Sequence, residues 1–303
     1  MIMRAYLMPG KVPLLLSGLL YTQHGCPYNC TFCQASVFEK RRFAISLEGI
    51  ERVLRFYRKK GVNYVAIMDE TFGCNPEISD RVTELLARYG FCWWAQTRVE
   101  VIQRHLDCWY ERGLRMPAIG VECMLQSTLS SVNKGQRIQE IVDYARRSRD
   151  KAGMFRIIYY MIGFENMTAE ETIADARQLS ELGFEMAVVG IVTPYPQTPL
   201  WHDIDSKYGI FDTDHRHYDN EHLVWNHPTL SPDEMGKLRI DVLELLNQPT
   251  DVYLKKYIRR LFRRDPRFLW RYILKGPLMT LLADDRKQIF FPNLRNAGSV
   301  YSP

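Results

Sequence analysis

Three of the seven cysteines fall within eight residues, in the stretch CPYNCTFC (Cys26, Cys30 and Cys33). A thiolate is a metal ligand, and Pro27, Tyr28, Asn29 and Thr31 between the three make a loop rather than a packed apolar stripe. A structural zinc site takes four protein ligands. Cys74, Cys92, Cys108 and Cys123 are isolated, so zinc here needs a distant Cys or His. Iron–sulfur clusters are ordinarily held by four thiolates. Three thiolates hold three irons of a [4Fe–4S] cluster and leave the fourth iron open to a small chelating molecule, the reading this stretch favours.

Other elements must hold that loop in place. Short apolar runs at 19–23, 64–68, 91–97, 116–123, 154–162 and 186–192 read as strands, and amphipathic stretches at 46–60, 79–88, 101–112, 138–152 and 168–182 as helices between them. Ser46 can cap the first helix, and Thr168 and Glu171 have capping-box spacing in the last. Gly61, Gly90, Gly113, Gly153 and Gly183 each follow a helix, where a left-handed residue is favoured. Six β-then-α units predict an α/β fold with parallel strands and right-handed crossovers, too few for the closed eight-stranded form. Chemistry in such sheets gathers at the C-terminal ends of the strands. The cysteine loop directly follows the first strand.

The pattern breaks after Thr193, dividing the chain into a core at 1–193 and an extension at 194–303. Pro194, Pro196 and Pro199 are expected to prevent a regular helix, and Ser231-Pro232-Asp233-Glu234 reads as the start of a later one. The loop between holds His202, His215, His217, His222 and His227 with Trp201, Tyr208, Tyr218 and Trp225. The histidine spacing fits no regular ligand pattern, and the loop is expected to close over the substrate side of the sheet. The net charge of +5 is uneven, because residues 251–276 carry nine Lys/Arg against two Asp. A solvated helix pair and peripheral contact with a membrane surface are both open for that segment, and no recognised nucleic-acid-reading module accompanies it. No apolar run reaches the roughly eighteen residues of a membrane span. Without an export signal, clustered cysteines point to a metal rather than disulfides, and to a cytoplasmic compartment.

At HGCPYNCTFC (24–33) the chain resembles the radical S-adenosylmethionine (SAM) superfamily, whose hallmark is CxxxCxΦxC with Φ aromatic, here Phe32. MDETFGCN (68–75), IGVECM (119–124), MIGFENMTAEET (161–172) and TPYPQTPLW (193–201) resemble successive strand-end motifs of its cobalamin-type branch, over roughly 19–246. The resemblance implies a partial (β/α)6 TIM-like barrel with a mainly helical C-terminal extension. It implies that Cys26, Cys30 and Cys33 ligate a [4Fe–4S] cluster and that SAM chelates the open iron. SAM would be cleaved there to methionine and a 5′-deoxyadenosyl radical, which takes hydrogen from an organic metabolite such as a lipid or pigment intermediate. By the same resemblance the backbone at Phe32 and the turn at Gly163 meet the adenine. Asp69 and Glu70 meet the amino group, and Arg98 and Glu122 the carboxylate and ribose. An electron donor such as flavodoxin or ferredoxin is implied as a partner. Other roles stay open: Asp69 and Glu70 can cap a turn, and Glu122, inside an apolar strand, needs a partner if buried, for which Arg98 is available.

The chain departs from that branch in one respect. Only 25 residues precede Cys26, and the D-x-H-x-x-G signature that supplies the lower histidine of cobalamin occurs nowhere. Cobalamin is then supplied by a partner subunit, or is not used, or belongs to a longer protein of which this is a piece. The leading expectation is a radical SAM enzyme. The alternatives are a methyltransferase using cobalamin from a partner, and a cluster-bearing electron-transfer or sensor protein without turnover.

Overall fold

A computed structural model describes residues 2–6, 13–38 and 42–247, with side chains from Ser17 onward. The basic segment at 251–276 lies outside the described residues. The chain begins with β1 (Ile2–Tyr6), β2 (Pro13–Leu20), the short β3 (Gln23–His24), the single-turn α1 (Ala35–Phe38) and β4 (Phe43–Ala44). Alternation follows: α2 (Leu47–Lys59), β5 (Tyr64–Ile67), α3 (Pro76–Arg88), β6 (Cys92–Thr97), α4 (Val99–Glu111) and β7 (Leu114–Glu122). Next come α5 (Gln126–Ser131), α6 (Ile138–Arg149), β8 (Ile157–Ile162), α7 (Ala169–Glu181), β9 (Met186–Ile191), α8 (Pro199–Lys207) and α9 (Pro232–Leu246).

Six strands run parallel in chain order, β2-β5-β6-β7-β8-β9, as the alternation predicts. The predicted caps form: Ser46 accepts from Gly49 N at 3.2 Å, and Thr168 and Glu171 bond reciprocally. All five glycines that follow helices take positive φ, between 67° and 99°.

Besides the short α1 and the β3–β4 pair, three elements differ from the sequence reading. β1 adds an antiparallel strand on the outer edge of β2, with Ile2 opposite Gly18. Pairing with β2, not a long apolar run of its own, makes that segment a strand. The six-residue α5 is too short to show a helical period. α8 begins at Pro199, where a helix was expected to be blocked. A proline at the first helical position loses no hydrogen bond, and Thr198 caps the turn by accepting from Trp201 N at 3.1 Å.

The sheet leaves β9 as an edge, and unpaired edge groups invite association. The segment after β9 satisfies them. Ile191 N donates to Asn220 O (2.7 Å), Arg239 Nε to Val189 O (3.2 Å), and Asn247 bonds both backbone groups of Ala187. The fully buried Trp225 donates to Val192 O at 3.1 Å. The loop expected to close over the substrate thus also seals the sheet edge.

Two buried charges hold the frame. Arg156, before β8, forms a two-pronged ion pair with Glu185, before β9, at 2.8 Å on both prongs. At the other end of the sheet, Asp69 after β5 accepts from Thr22 N (2.7 Å) and Thr22 Oγ1 (2.5 Å) after β2. Burial pushes the Asp69 carboxyl up to about 6 from 3.8, against the pull of those bonds.

Truncating Glu185→Ala strands a guanidinium in the core and is expected to cost about 3–5 kcal/mol in urea unfolding. For Asp69 the folded-state value lies above the unfolded one, so its contribution to stability is full below about pH 4 and is lost as pH rises through about 6. Wild type is expected to lose on the order of 3 kcal/mol from this group between those limits. Asp69→Asn should flatten that slope in urea melts of the metal-free chain.

Candidate functional site

The cysteine loop is pinned from three sides. Thr31 N donates to Val132 O (3.0 Å) and Leu200 N to Thr31 O (3.1 Å), which ties the loop to the ends of α5 and α8. Asn133 Nδ2 donates to Asn29 O at 2.9 Å, and Ser36 Oγ to Cys33 O at 2.7 Å. All seven cysteines are free thiols; Cys30 is buried, while Cys26 and Cys33 are half-buried. Burial pushes the Cys33 thiol up, and its neighbours Cys30 and Cys26 add to the push, so the three act on one another electrostatically. Cys26 Sγ lies 3.3 Å from Thr71 Oγ1. Phe32, between the second and third cysteines, is half-buried against the core.

The strand ends bring the remaining predicted residues to the same end of the sheet. Asp69 has both carboxylate oxygens bonded to the chain entering the cysteine loop, and Glu70 Oε2 accepts from Gly25 N at 3.0 Å. Glu122 closes β7 at φ 65°, left-handed for a residue with a side chain, beside a bulge in the pairing with β8. Such strain persists where the surroundings enforce it, often at functional sites. Here Asp175 accepts from Met124 N with both oxygens at 2.9 Å, and Tyr160 steadies Asp175 at 2.7 Å. Gly163 follows β8 at φ 78°, and an added Cβ would lie 2.8 Å from Met235 Cε of α9.

The partner of Glu122 is Lys134, not Arg98: Lys134 Nζ donates to Glu122 Oε1 at 2.5 Å, and both side chains are 7% exposed. Lys134 Nζ also stands 5.9 Å over the Phe32 ring. A Cβ at Gly120 would meet Glu122 Oε1 and Lys134 Nζ, so a larger residue there would push the pair aside. Arg98 turns instead to the cysteine loop. Its Nη1 donates to Cys30 Sγ (3.4 Å), its Nε pairs with Glu100, its Nη2 donates to Lys134 O, and its guanidinium lies 3.9 Å over the Tyr28 ring.

Lys134, Tyr28, Glu100 and Gln136 were missed because they lie between the predicted strand ends. The one available signal was that a buried Glu122 needs a cation. Asn133 (φ 51°) and Gly135 (φ 68°) bend the chain so that Lys134 points inward between them.

Three free thiols on one loop are the donor chemistry a cluster takes, since a cluster spreads its thiolates over separate irons. Among the described residues, no three His, Cys, Asp or Glu side chains gather closely enough for a single ion. Two buried oxygens near these residues, Glu100 Oε2 and Gln136 Oε1, have no hydrogen-bond partner in the structure. Three of the five histidines of the extension are hydrogen-bonded: His217 with Asp212 (2.6 Å), His222 with Asp219 (2.9 Å), and the buried His227 with Phe164 O (3.4 Å). Among the described residues no helix is long and apolar enough to cross a membrane.

Comparison with known proteins identifies the family. The family model of the radical SAM superfamily matches residues 20–179. An uncharacterised methyltransferase of Pyrococcus horikoshii is 29% identical over 189 residues, 61% of this chain and 41% of that protein. An anaerobic magnesium-protoporphyrin IX monomethyl ester cyclase of Rubrivivax gelatinosus is 25% identical over 252 residues, 80% of this chain and 42% of that protein. The chain thus spans less than half the length of these curated relatives. In fold it resembles TsrM of Kitasatospora setae, a radical SAM methyltransferase whose structure holds cobalamin and a [4Fe–4S] cluster. The TM-score is 0.56 at 17% identity, over 63% of this chain and 39% of that one. A family model that covers more than half of the chain, including the cysteine loop and the strands β5 to β8, places it in the radical SAM superfamily.

Proposed function

We propose that this chain is a radical SAM enzyme acting on a small organic metabolite, with the cluster held by Cys26, Cys30 and Cys33. The observation that carries the reading is three free thiols on one pinned loop together with the buried Glu122–Lys134 pair at the end of β7, whose ammonium stands 5.9 Å over the Phe32 ring of that loop. A [4Fe–4S] cluster bound there, once reduced by a donor such as flavodoxin or ferredoxin, supplies the electron that cleaves SAM to methionine and a 5′-deoxyadenosyl radical. The residues of the chain hold and screen the reactants. Asp69 and Glu70 fasten the entry of the cysteine loop to β5. Glu122 and Lys134, with the half-buried Phe32 beneath the ammonium, supply paired charges and an aromatic face of the kind that a nucleoside with a charged tail would use. Gly163 keeps the turn after β8 open on the adenine side.

A second reading is methyl transfer with cobalamin supplied by a partner subunit. It is favoured by relatives that include an uncharacterised methyltransferase and TsrM, whose structure holds cobalamin. Lipid- and pigment-like substrates fit both readings, because other relatives are a porphyrin-ester cyclase and a hopanoid methylase.

Chromatography of the nucleosides formed from SAM, on anaerobically reconstituted protein with dithionite, tests both readings. 5′-Deoxyadenosine that disappears in Cys30→Ala is expected. S-adenosylhomocysteine formed only when cobalamin is added would move the assignment to methyl transfer. Neither product, from a protein loaded with four irons and supplied with both additions, would sink both. Lys134→Met, which unpairs Glu122, is expected to weaken SAM binding at least tenfold, about 1.4 kcal/mol, with iron content unchanged. Equilibrium dialysis checks this, and unchanged affinity would make the pair structural only.

A further inference from the structure

Arg98 does not face the pocket of Glu122. It is 5% exposed, and its guanidinium is committed to the wall around one thiol. Nη1 donates to Cys30 Sγ at 3.4 Å, Nη2 to Lys134 O, and Nε pairs with Glu100, while the Tyr28 ring supports the flat face at 3.9 Å. A planar group fixed at three nitrogens and one face has a single orientation. Behind it, Glu100 spends one oxygen on Arg98, and its other oxygen is buried without a partner. The loop therefore meets a buried positive charge directly at Cys30 and a half-buried carboxylate behind it.

We propose that Arg98 is a positioning residue that raises the reduction potential of the cluster through Cys30, and that Glu100 offsets part of that effect; the proposal rests on the cluster reading above. The step concerned is the gain of one electron from an external one-electron donor, with no bond made or broken. The reduced cluster carries one more negative charge. A cation fixed against a ligating sulfur stabilises that state, because hydrogen bonds to sulfur and local charge set cluster potentials. In a wall this dry the charges act with little screening. Removing Arg98 should make the cluster harder to reduce, and removing the charge of Glu100 should make it easier. Recognition of SAM by Arg98 would show instead as lost affinity at an unchanged potential.

The test is an EPR-monitored potentiometric titration of the full chain, reconstituted anaerobically, as wild type, Arg98→Gln and Glu100→Gln, with iron content and SAM affinity measured alongside. Arg98→Gln is expected to lower the one-electron equilibrium at least tenfold, a midpoint about 59 mV more negative, and Glu100→Gln to shift the midpoint the other way. Two unchanged midpoints, two shifts of the same sign, or SAM affinity lost in Arg98→Gln at an unchanged midpoint would each overturn the proposal. If Arg98→Gln assembles no cluster, the sign of the Glu100→Gln shift decides. A wild type that binds no four-iron cluster would overturn the cluster reading itself, an outcome separate from the others.

Discussion

A carboxylate buried at the end of a strand must have a cation, and the pairing of Glu122 with Lys134 organises much of the site around that requirement. The pair needs the bare backbone of Gly120 beneath it. It needs Lys134 turned inward, which the left-handed Asn133 and Gly135 on either side provide. The backbone carbonyl of the same Lys134 receives Arg98, and Arg98 reaches the thiol of Cys30. One ion pair thus connects a strand end, the loop after α5 and the cysteine loop. The neighbouring Asn133 adds a second tie by donating to Asn29 O. Breaking a buried pair of this kind costs more than its net worth, because one charge is left behind in a dry site.

The parallel sheet was legible because its signals are local. Apolar runs, caps and post-helix glycines recur at a regular spacing, and each needs only neighbouring residues to be read. What escaped depends on distant partners or on position within a turn. β1 is a strand because β2 lies beside it. α8 was read as forbidden because a proline was judged as a helix interior residue, whereas Pro199 occupies the one place in a helix where proline is favoured.

The same division holds in the site. The grouping of Cys26, Cys30 and Cys33 is visible in eight residues, and the structure keeps them on one loop. The strand-end residues were visible from their place in the β/α repeat. The partner of Glu122 was not, because Lys134 lies outside every strand end, whereas Arg98 directly follows one. A lone charged residue in a loop carries no sequence mark of burial. The engagement of Asp69 with Thr22 is hidden for the same reason: neither residue signals that adjacent strands will end side by side.

The way these charges are matched determines what a ligand must bring. Glu122 has Lys134, Arg98 has Glu100, Asp69 has Thr22, and Glu70 has the backbone of Gly25. Both buried cations in this wall are already engaged, so an anionic ligand group meets no uncommitted positive charge from them. The unmatched atoms are acceptors, Glu100 Oε2 and Gln136 Oε1, and a buried acceptor without a donor costs about 1–3 kcal/mol. Gln136 is itself tied to Val121 O through its amide, and Glu100 stands behind Arg98, so both acceptors belong to the same network that holds the charges. A ligand that enters here has to be accommodated without releasing these partners, because taking Lys134 from Glu122 or Arg98 from Glu100 would leave a carboxylate uncompensated in a dry site.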